Sequence, residues 1–282
     1  MLTTGDRPEA LRRAVQSLLD QQDVEHVVVY ANGCSIDDIR GSLPESVWLT
    51  LGGSDVNLGV PGGRDAALDL LDASVDLAGF LDDDAELLTS GVARVLSGLF
   101  DDPGVAAVSM RLLDEAGESA RRHVPRAGAG SADEPGDVAT FLGGASVLRR
   151  SAYREVGGYW VDLFYGHEEL DLAWRLADRG YRVVYEPTLA VFHPYTEISR
   201  HAQGWRLTGR NRVRVARRNL PWPVVPIHLG IWLLLGLGRA PSGCRRAYLD
   251  GWIDGWRGSV PRSAMRWATM VSLTRRGRCP II

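Results

Sequence analysis

The stretch Phe80-Leu81-Asp82-Asp83-Asp84 places three consecutive carboxylates directly after a short apolar run that begins at Leu77. Neighbouring carboxylates repel one another, so a strand end that aims two of them at one point requires a cation. Mg²⁺ or Mn²⁺ suits such a site, because both ions accept oxygen ligands and keep positions open for phosphate oxygens. A solvated acidic turn or a helix N-cap is the alternative for an isolated triplet.

Strands and helices alternate on both sides of the triplet. The predicted strands are residues 27–30, 47–51, 77–81, 105–110 and 182–186, and the predicted helices are residues 8–21, 62–71, 90–100, 151–156 and 168–179. This alternation predicts an α/β fold with a Rossmann-like, mostly parallel sheet that binds ligands beyond the carboxyl ends of its strands. Residues 114–137 lack periodicity and are predicted to form a mobile loop near the site, with a disordered insertion as the alternative.

The composition indicates a globular chain with two electrically different parts. Its 282 residues suit one large domain, or one domain with an appendage. The formal net charge is -3, yet residues 1–198 hold 16 Arg against 33 acidic residues, whereas residues 199–282 hold 16 Arg against 2 Asp. We therefore expect an acidic domain followed by a basic region.

Two residue types exclude whole classes of function. The chain has no Lys, so it cannot use a Schiff base or the phosphate-binding lysine of a P-loop. Its three widely spaced Cys residues do not fit a disulfide scaffold or a zinc ribbon. The first residues carry neither the basic nor the apolar segment of a signal peptide, so the expected compartment is cytoplasmic.

Six further motifs accompany the triplet in a fixed order. They are Thr3-Thr4-Gly5-Asp6-Arg7, Asn57-Leu58-Gly59, Gly143-Gly144-Ala145, Val156-Gly157-Gly158-Tyr159, Glu168-Glu169-Leu170-Asp171 and Val191-Phe192-His193. Over about residues 1–220 the chain thereby resembles the family 2 glycosyltransferases, and among them bacterial rhamnosyl- and galactofuranosyl-transferase-like enzymes of cell-surface glycans. The resemblance implies the glycosyltransferase-A fold and metal-dependent, inverting transfer of a sugar from a nucleotide-diphosphate-sugar donor to a hydroxyl acceptor.

The same resemblance implies roles for the acidic residues and one histidine. It places the family's metal-binding Asp-x-Asp motif on Asp82 and Asp84, with Asp83 as a donor contact. His193 matches a position that often supplies a further metal ligand, and a packed structural histidine is the alternative. Glu169 matches the general base that deprotonates the acceptor, whereas an acidic cluster that merely favours its helix N-terminus is the alternative.

Seven residues are predicted to contact the donor nucleotide besides the triplet. Arg7 and Arg64 are chosen because guanidinium groups bind phosphate oxygens bidentately, and surface salt bridges are the alternative. The other predicted contacts are Thr3, Asn32, Asn57, Gly59 and Gly144. Ala31-Asn32-Gly33 lacks the acidic residue that contacts the nucleoside in many family members, so the nucleobase cannot be carried over.

The basic region combines arginines with aromatic and aliphatic residues. An apolar run at residues 227–237 is shorter than the roughly 20 residues needed to span a bilayer. A stripe from Tyr248 to Trp256 has helical spacing and a tryptophan content typical of membrane interfaces. These features predict contact with an anionic inner leaflet and a glycan or lipid-linked acceptor. The alternatives are a cover for the catalytic domain or a homodimer contact, and nucleic-acid binding is disfavoured because the larger part repels phosphate.

We therefore expect a glycosyltransferase-A catalytic domain at residues 1–198, followed by a basic helical region at 199–282. Within the catalytic domain, the nucleotide-sugar half is expected at about 1–110 and the acceptor half at about 138–198.

Two other functions are alternatives to a glycosyltransferase. A sugar-phosphate nucleotidyltransferase shares a similar sheet and metal chemistry, but it usually needs a Lys in its first loop. A noncatalytic nucleotide- or glycan-binding module is the other alternative.

Overall fold

The computed structural model describes residues 1–22, 24–120, 123–124, 132–195, 203–276 and 279–281. Its amino-terminal layer is a parallel sheet with β2 in the middle. The strands are β1 (Leu2–Thr3), β2 (Val27–Asn32) and β3 (Leu49–Ser54), and the helices that accompany them are α1 (Pro8–Leu19), α2 (Ile36–Arg40) and α3 (Gly59–Leu68). Every residue of β2 is buried, as expected for a parallel strand covered on both faces.

A second sheet has the strand order β4-β8-β6-β9-β5, with β7 paired to β9. Its strands are β4 (Leu77–Leu81), β5 (Glu86–Leu87), β6 (Val105–Leu113), β7 (Gly136–Val138), β8 (Ala145–Arg149) and β9 (Arg182–Phe192). The helices of this part are α4 (Val92–Phe100), α5 (Arg150–Glu155) and α6 (Glu168–Asp178). The α/β architecture predicted from the alternation of elements is confirmed.

Strand direction differs between the two sheets. The parallel pairing holds for β1 to β3 and for β6 with β9. In contrast, β8 runs antiparallel to β4 and β6, while β5 and β7 run antiparallel to β9. A parallel pair needs a crossover connection, usually a helix, and the described residues between β6 and β8 contain none. The alternation pattern could not predict these reversals, because it records helices and strands but not their pairing.

Strand β9 extends beyond its predicted end. The predicted strand ended at Glu186, and the next residue, Pro187, cannot donate a ladder hydrogen bond. Strand β9 continues past Pro187 through a shift in its pairing with β6. Met110 pairs with Glu186, whereas the next residue of β6, Arg111, pairs with Ala190. Such a bulge lets the strand resume after the proline. As a result His193 follows the end of a long strand that reaches the same edge of the sheet as β4.

The described part of the basic region contains the α-helices α7 (Gly204–Asn219), α8 (Val225–Arg239), α9 (Arg245–Trp256) and α10 (Trp267–Arg275). One hydrophobic cluster joins Leu163 and Trp174 of the preceding part to Val213 and Leu220 of the basic region. Helix α7 therefore packs one face against residues that precede the basic region. Within the described ranges, none of the helices is sufficiently long and apolar to cross a membrane.

Candidate active site

Two aspartates and one histidine converge at the carboxyl end of β4. The potential ligand atoms of Asp82, Asp84 and His193 lie within 4.8 Å of one another. His193 Nε2 is 3.6 Å from Asp82 Oδ2 and 3.5 Å from Asp84 Oδ1. His193 Nδ1 lies 2.7 Å from the Pro194 carbonyl, which can only accept a hydrogen bond. That contact assigns the proton to Nδ1 and leaves Nε2 to face the carboxylates, as in many metal-binding histidines.

The pKa values of two aspartates in the triplet shift in opposite directions. Burial raises the pKa of Asp82, but the nearby His193 and the charges of Arg64 and Arg7 outweigh it and lower the pKa to about 2. Burial raises the pKa of Asp83, opposed by Arg7 and by the nearby Thr3 hydroxyl. Carboxylate oxygens and a neutral imidazole nitrogen form a donor set that accepts Mn²⁺ or Mg²⁺. The residues present therefore fit the predicted metal.

Arg7 lies against the triplet from the turn that follows β1. Its Nη2 donates to Asp83 Oδ1 at 2.5 Å, and its Nη1 donates to Asp84 Oδ2. Thr3 is buried beside this pair, and its hydroxyl accepts a hydrogen bond from the Gly5 amide at 3.1 Å. The structure thus brings both residues to the site, while their predicted contacts with the donor stay predictions.

Arg64 connects the triplet with the acidic pair at the start of α6. Its Nη2 lies 3.5 Å from Asp82 Oδ1, and its Nη1 lies 3.3 Å from Glu169 Oε1 and 3.6 Å from Glu168 Oε1. Burial lowers the pKa of Arg64, yet neighbouring groups, including Glu169, Asp82 and Glu168, raise it above its ordinary value. A charged, buried guanidinium paired in this way fixes the relative positions of the two acidic groups.

Glu168 and Glu169 have different surroundings although they are adjacent. The Glu168 side chain is 3% exposed, and its Oε2 has no hydrogen-bond partner among the described residues. Burial and the neighbouring Glu169 raise the pKa of Glu168 well above its ordinary value. The Glu169 side chain is 21% exposed. Glu169 is therefore the more accessible carboxylate, and Glu168 is a site residue that the sequence prediction did not single out.

Two glycines line the space between these groups. A Cβ atom at Gly144 would overlap the carboxylate of Asp82, and one at Gly143 would overlap Glu169 and Arg64. The backbone also meets the triplet directly, because the Asp82 amide donates to the Gly144 carbonyl at 3.2 Å. Gly144 was predicted as a donor contact, and its position next to Asp82 explains why no side chain is accommodated there.

The predicted nucleotide contacts Asn32, Asn57 and Gly59 hold the turn that leads into α3. Asn32 Nδ2 donates to the Gly59 carbonyl at 3.1 Å, while Asn32 Oδ1 accepts from the Leu58 amide at 2.8 Å. Asn57 Oδ1 accepts from the Gly59 amide at 2.8 Å. These bonds position the start of α3 and hence Arg64. The proposed contacts of these three residues with the nucleotide stay predictions.

The loop that precedes Glu169 is held from two sides. The Val60 amide at the start of α3 donates to the Phe164 carbonyl at 2.7 Å. On the other side, the fully buried Asn211 of α7 donates to the carbonyls of Tyr165 and Gly166, each at 2.8 Å, and to that of Leu163 at 2.9 Å. The sequence prediction missed Asn211, because nothing local to α7 marks a contact with a loop 45 residues earlier.

Two aromatic residues near the site had no predicted role. The ring of His123 lies 6.4 Å from that of His193, centroid to centroid, so this part of the loop predicted at residues 114–137 does lie near the site. Tyr159 packs on Phe80, with Arg64 Cζ 5.9 Å from the Tyr159 ring. Burial raises the pKa of Tyr159. Its neighbourhood in the glycine motif Gly157-Gly158 was the available sequence signal.

Comparison with known proteins gives a consistent result. No protein-family model matches the chain. Over 187 residues it is 32% identical to the pre-mycofactocin glycosyltransferase of Mycobacterium tuberculosis, a match that covers 60% of the chain and 39% of that relative. The chain thus spans about two fifths of the length of this curated relative.

Three solved structures illustrate the shared fold. GalNAc-T7 with UDP, GalNAc and Mn²⁺ matches 86% of this chain and 51% of its own, with 15% identity and a TM-score of 0.60. The mannosyltransferase PcManGT from Pyrobaculum calidifontis with GDP-Man and Mn²⁺ matches 92% and 75%, with 19% identity and a TM-score of 0.58. S. aureus TarS matches 90% and 78%, with 13% identity and a TM-score of 0.60. The chain therefore has the glycosyltransferase-A fold, and the proteins it resembles in sequence and structure are glycosyltransferases.

Proposed function

We propose that the chain is a metal-dependent, inverting glycosyltransferase that moves a sugar from a nucleotide-diphosphate-sugar donor to a hydroxyl acceptor during glycoconjugate synthesis. One observation carries this proposal: Asp82, Asp84 and His193 converge within 4.8 Å, and Arg64 links Asp82 to Glu169. The name of the mycobacterial relative and the Mn²⁺ and nucleotide ligands of two structural neighbours support it.

The metal-binding residues would act on the leaving group. When bound, Mn²⁺ or Mg²⁺ supplies Lewis-acid stabilisation of the charge that develops on the donor diphosphate. Asp82 and Asp84 would hold the ion through carboxylate oxygens, and His193 through Nε2. Arg7 and Arg64 stand beside these carboxylates and are placed to neutralise phosphate oxygens as well.

Glu169 would accept the proton of the acceptor hydroxyl as that oxygen attacks the sugar. Its carboxylate lies at the start of α6, and Arg64 fixes its Oε1 at 3.3 Å. Inversion follows from a single displacement, in which the base and the leaving group lie on opposite faces of the sugar. The base is expected to approach the hydroxyl to hydrogen-bond distance only when both substrates are bound.

Thermal unfolding with UDP, GDP, dTDP and CDP, each with Mn²⁺, Mg²⁺ or EDTA, tests donor binding. A ligand at about a hundredfold above its Kd stabilises the folded state by about 2.7 kcal/mol, which shifts Tm by several degrees. We expect one nucleotide to give a metal-dependent shift that Asp84→Ala removes and Glu86→Gln retains, since Glu86 pairs with Arg13 outside the site. Absence of a shift with all four nucleotides would contradict the metal and donor assignments.

For the acceptor, we propose a glycan or lipid-linked molecule, with residues 199–282 as a region that contacts an anionic membrane surface. Three apolar side chains support this, because Ile227, Leu234 and Ile253 are 53%, 73% and 53% exposed. Flotation with phosphatidylglycerol vesicles is expected to recover the protein, and phosphatidylcholine vesicles are expected not to. Light scattering of the free protein tests the competing homodimer, which would instead cover these side chains.

A further inference from the structure

Helix α7 carries six arginines, and five of them have partners in the protein. These pairs are Arg206 with Asp254, Arg210 with the Leu163 carbonyl, Arg214 with the Asp162 carbonyl, Arg217 with the Gly255 carbonyl and Arg218 with Asp171. Arg212 forms no hydrogen bond or ion pair with any residue that the structure describes. A partly buried guanidinium without an acceptor is costly, so its persistence calls for an explanation.

A second arginine shares the surroundings of Arg212. Arg212 Cζ lies 3.7 Å from the centre of the Trp232 ring, and Arg239 Cζ lies 5.5 Å from the same centre. Stacking on an indole is favourable, but it leaves the positive charge without a counter-ion. Burial lowers the pKa of Arg212, and the charge of Arg239 acts in the same direction. Two cations thus contact one indole ring, and neither is paired with a carboxylate in the described part of the chain.

Two buried ring nitrogens also lack partners, one on the Trp232 ring that the arginines contact and one on His167, which follows the loop held by Asn211. His167 Nδ1 and Trp232 Nε1 are buried, and neither has a hydrogen-bond partner among the residues described. Burial lowers the pKa of His167, and the charges of Arg212 and His228 act in the same direction. Buried polar groups are nearly always paired, so several unpaired groups in one place point to a missing acceptor.

This cluster lies next to the proposed catalytic base. His167 caps α6 immediately before Glu168 and Glu169. Asn211, the neighbour of Arg212, holds the Tyr165 and Gly166 carbonyls that lead to His167. A ligand at the cluster would therefore contact the loop that positions Glu169.

We propose that Arg212, Arg239 and His167 form a binding site for a phosphate group that is carried by the acceptor and is separate from the donor diphosphate. Guanidinium groups match phosphate oxygens in geometry, and a phosphate dianion neutralises two arginines where a carboxylate neutralises one. Binding of the anion follows from the cluster itself, whereas its identity as part of the acceptor rests on the proposed function.

The helix that carries part of the cluster also lines an apolar groove. Helix α8 contributes Trp232 and Arg239 to the cluster, and a different set of its residues, Val225, Leu229 and Leu233, lines a groove of about 470 Å³ together with Trp222 and Trp252. A lipid-linked phosphate would use both features, while a free or sugar-linked phosphate would use the cluster alone. The test below distinguishes these two sources.

The test is thermal unfolding without nucleotide or metal, in the presence of inorganic phosphate, pyrophosphate, geranyl phosphate or geraniol at matched ionic strength. We expect the anions to raise Tm of the wild type by several degrees, and Arg212→Gln and Arg239→Gln to lose most of the shift. Arg246→Gln is the matched control, because its side chain on α9 is 94% exposed. A larger shift with geranyl phosphate than with phosphate identifies a lipid-linked ligand, and equal shifts identify a phosphate group without the chain.

Two outcomes would overturn the proposal: no shift of the wild type with any anion, or undiminished shifts in both Arg212→Gln and Arg239→Gln. Arg239 is exposed, so its variant remains informative if Arg212→Gln does not fold. The nucleotide shift with Mn²⁺ is measured in the same proteins. If Arg212→Gln keeps the nucleotide shift but loses the anion shift, the two ligands bind at separate sites. If the wild type shows no nucleotide shift, that result counts against the donor proposal alone.

Discussion

At the scale of single residues, burial distinguishes side chains that are chemically identical. Glu168 and Glu169 share a helix start and an arginine, yet only Glu169 has appreciable exposure. A buried carboxyl is stabilised in its protonated form, and an accessible one is able to exchange protons with a substrate. The two glutamates therefore form a matched pair for mutagenesis.

We expect Glu169→Gln to lower kcat by about 10²–10⁴-fold, the usual contribution of a general base, with the nucleotide-dependent Tm shift unchanged. Glu168→Gln is expected to retain activity within a few-fold, because glutamine resembles the protonated form that burial favours. Initial rates of sugar transfer measure both. Equal losses in the two variants would remove the distinction between them.

A pH-dependent stability is expected from Asp65, which accepts a hydrogen bond from the Tyr153 hydroxyl. Burial raises the pKa of Asp65 to about 6 from an ordinary value of 3.8. Between these values the folded state binds more protons than the unfolded state, so this group's contribution to stability decreases as pH rises from about 4 to 6. Urea unfolding at several pH values should therefore show that the difference in free energy of unfolding between the wild type and Asp65→Asn changes over this pH range. A pH-independent difference between the two proteins would contradict the shift.

At the scale of elements, the lack of room for a side chain explains Gly143 and Gly144, which directly precede β8. We expect Gly144→Ala to abolish the metal-dependent nucleotide shift, because the new methyl group would displace Asp82. Gly98→Ala in α4 is the control, since its Cβ would meet nothing within 4 Å and alanine favours a helix by about 0.5–1 kcal/mol. Nucleotide titration of Gly144→Ala decides the point, and an unchanged affinity would contradict the assigned geometry.

Helix α7 acts on the site through Asn211. Replacement by alanine removes an amide that donates to three carbonyls of the preceding loop, of which the Leu163 carbonyl keeps its bond from Arg210, and a buried group left unsatisfied costs about 1–3 kcal/mol. We expect Asn211→Ala to lower the free energy of unfolding and kcat, with donor binding retained. Thr208→Ala removes only a bond within the same helix and serves as the control. If kcat of Asn211→Ala matched that of the control, the helix would have no role in positioning Glu169.

At the scale of the whole molecule, the acidic and basic parts of the chain meet in specific ion pairs. Asp171 is fully buried and accepts from Arg175 at 2.8 Å, Arg218 at 3.2 Å and Asn219 at 2.8 Å. Arg266, which directly precedes α10, forms an ion pair with Asp178 at the end of α6, and its backbone amide also donates to the Asp178 carboxylate. The charge division visible in the sequence is thus partly neutralised across the contact between α6 and the basic helices.

Asp171→Asn is expected to lower the free energy of unfolding by about 3–5 kcal/mol, because it removes the charge shared by two arginines in a buried setting. Asp250→Asn, whose pair with Arg246 is exposed and 4.0 Å long, is expected to change it by less than about 0.5 kcal/mol. Urea unfolding measures both values. A small effect at Asp171 would show that the contact between the two parts depends on apolar packing instead.

The sequence by itself determined the α/β class, the order of most elements and the residues at the strand ends. The resemblance carried by the motifs grouped Asp82, Asp84 and His193, and in the structure they meet where β4 and β9 end at one edge of the sheet. Tertiary structure alone decided strand direction in the second sheet, the link from Arg64 to Glu169 across 105 residues, and the role of Asn211. Local patterns record which face of an element is apolar, whereas burial and long-range hydrogen bonds depend on which elements pack together.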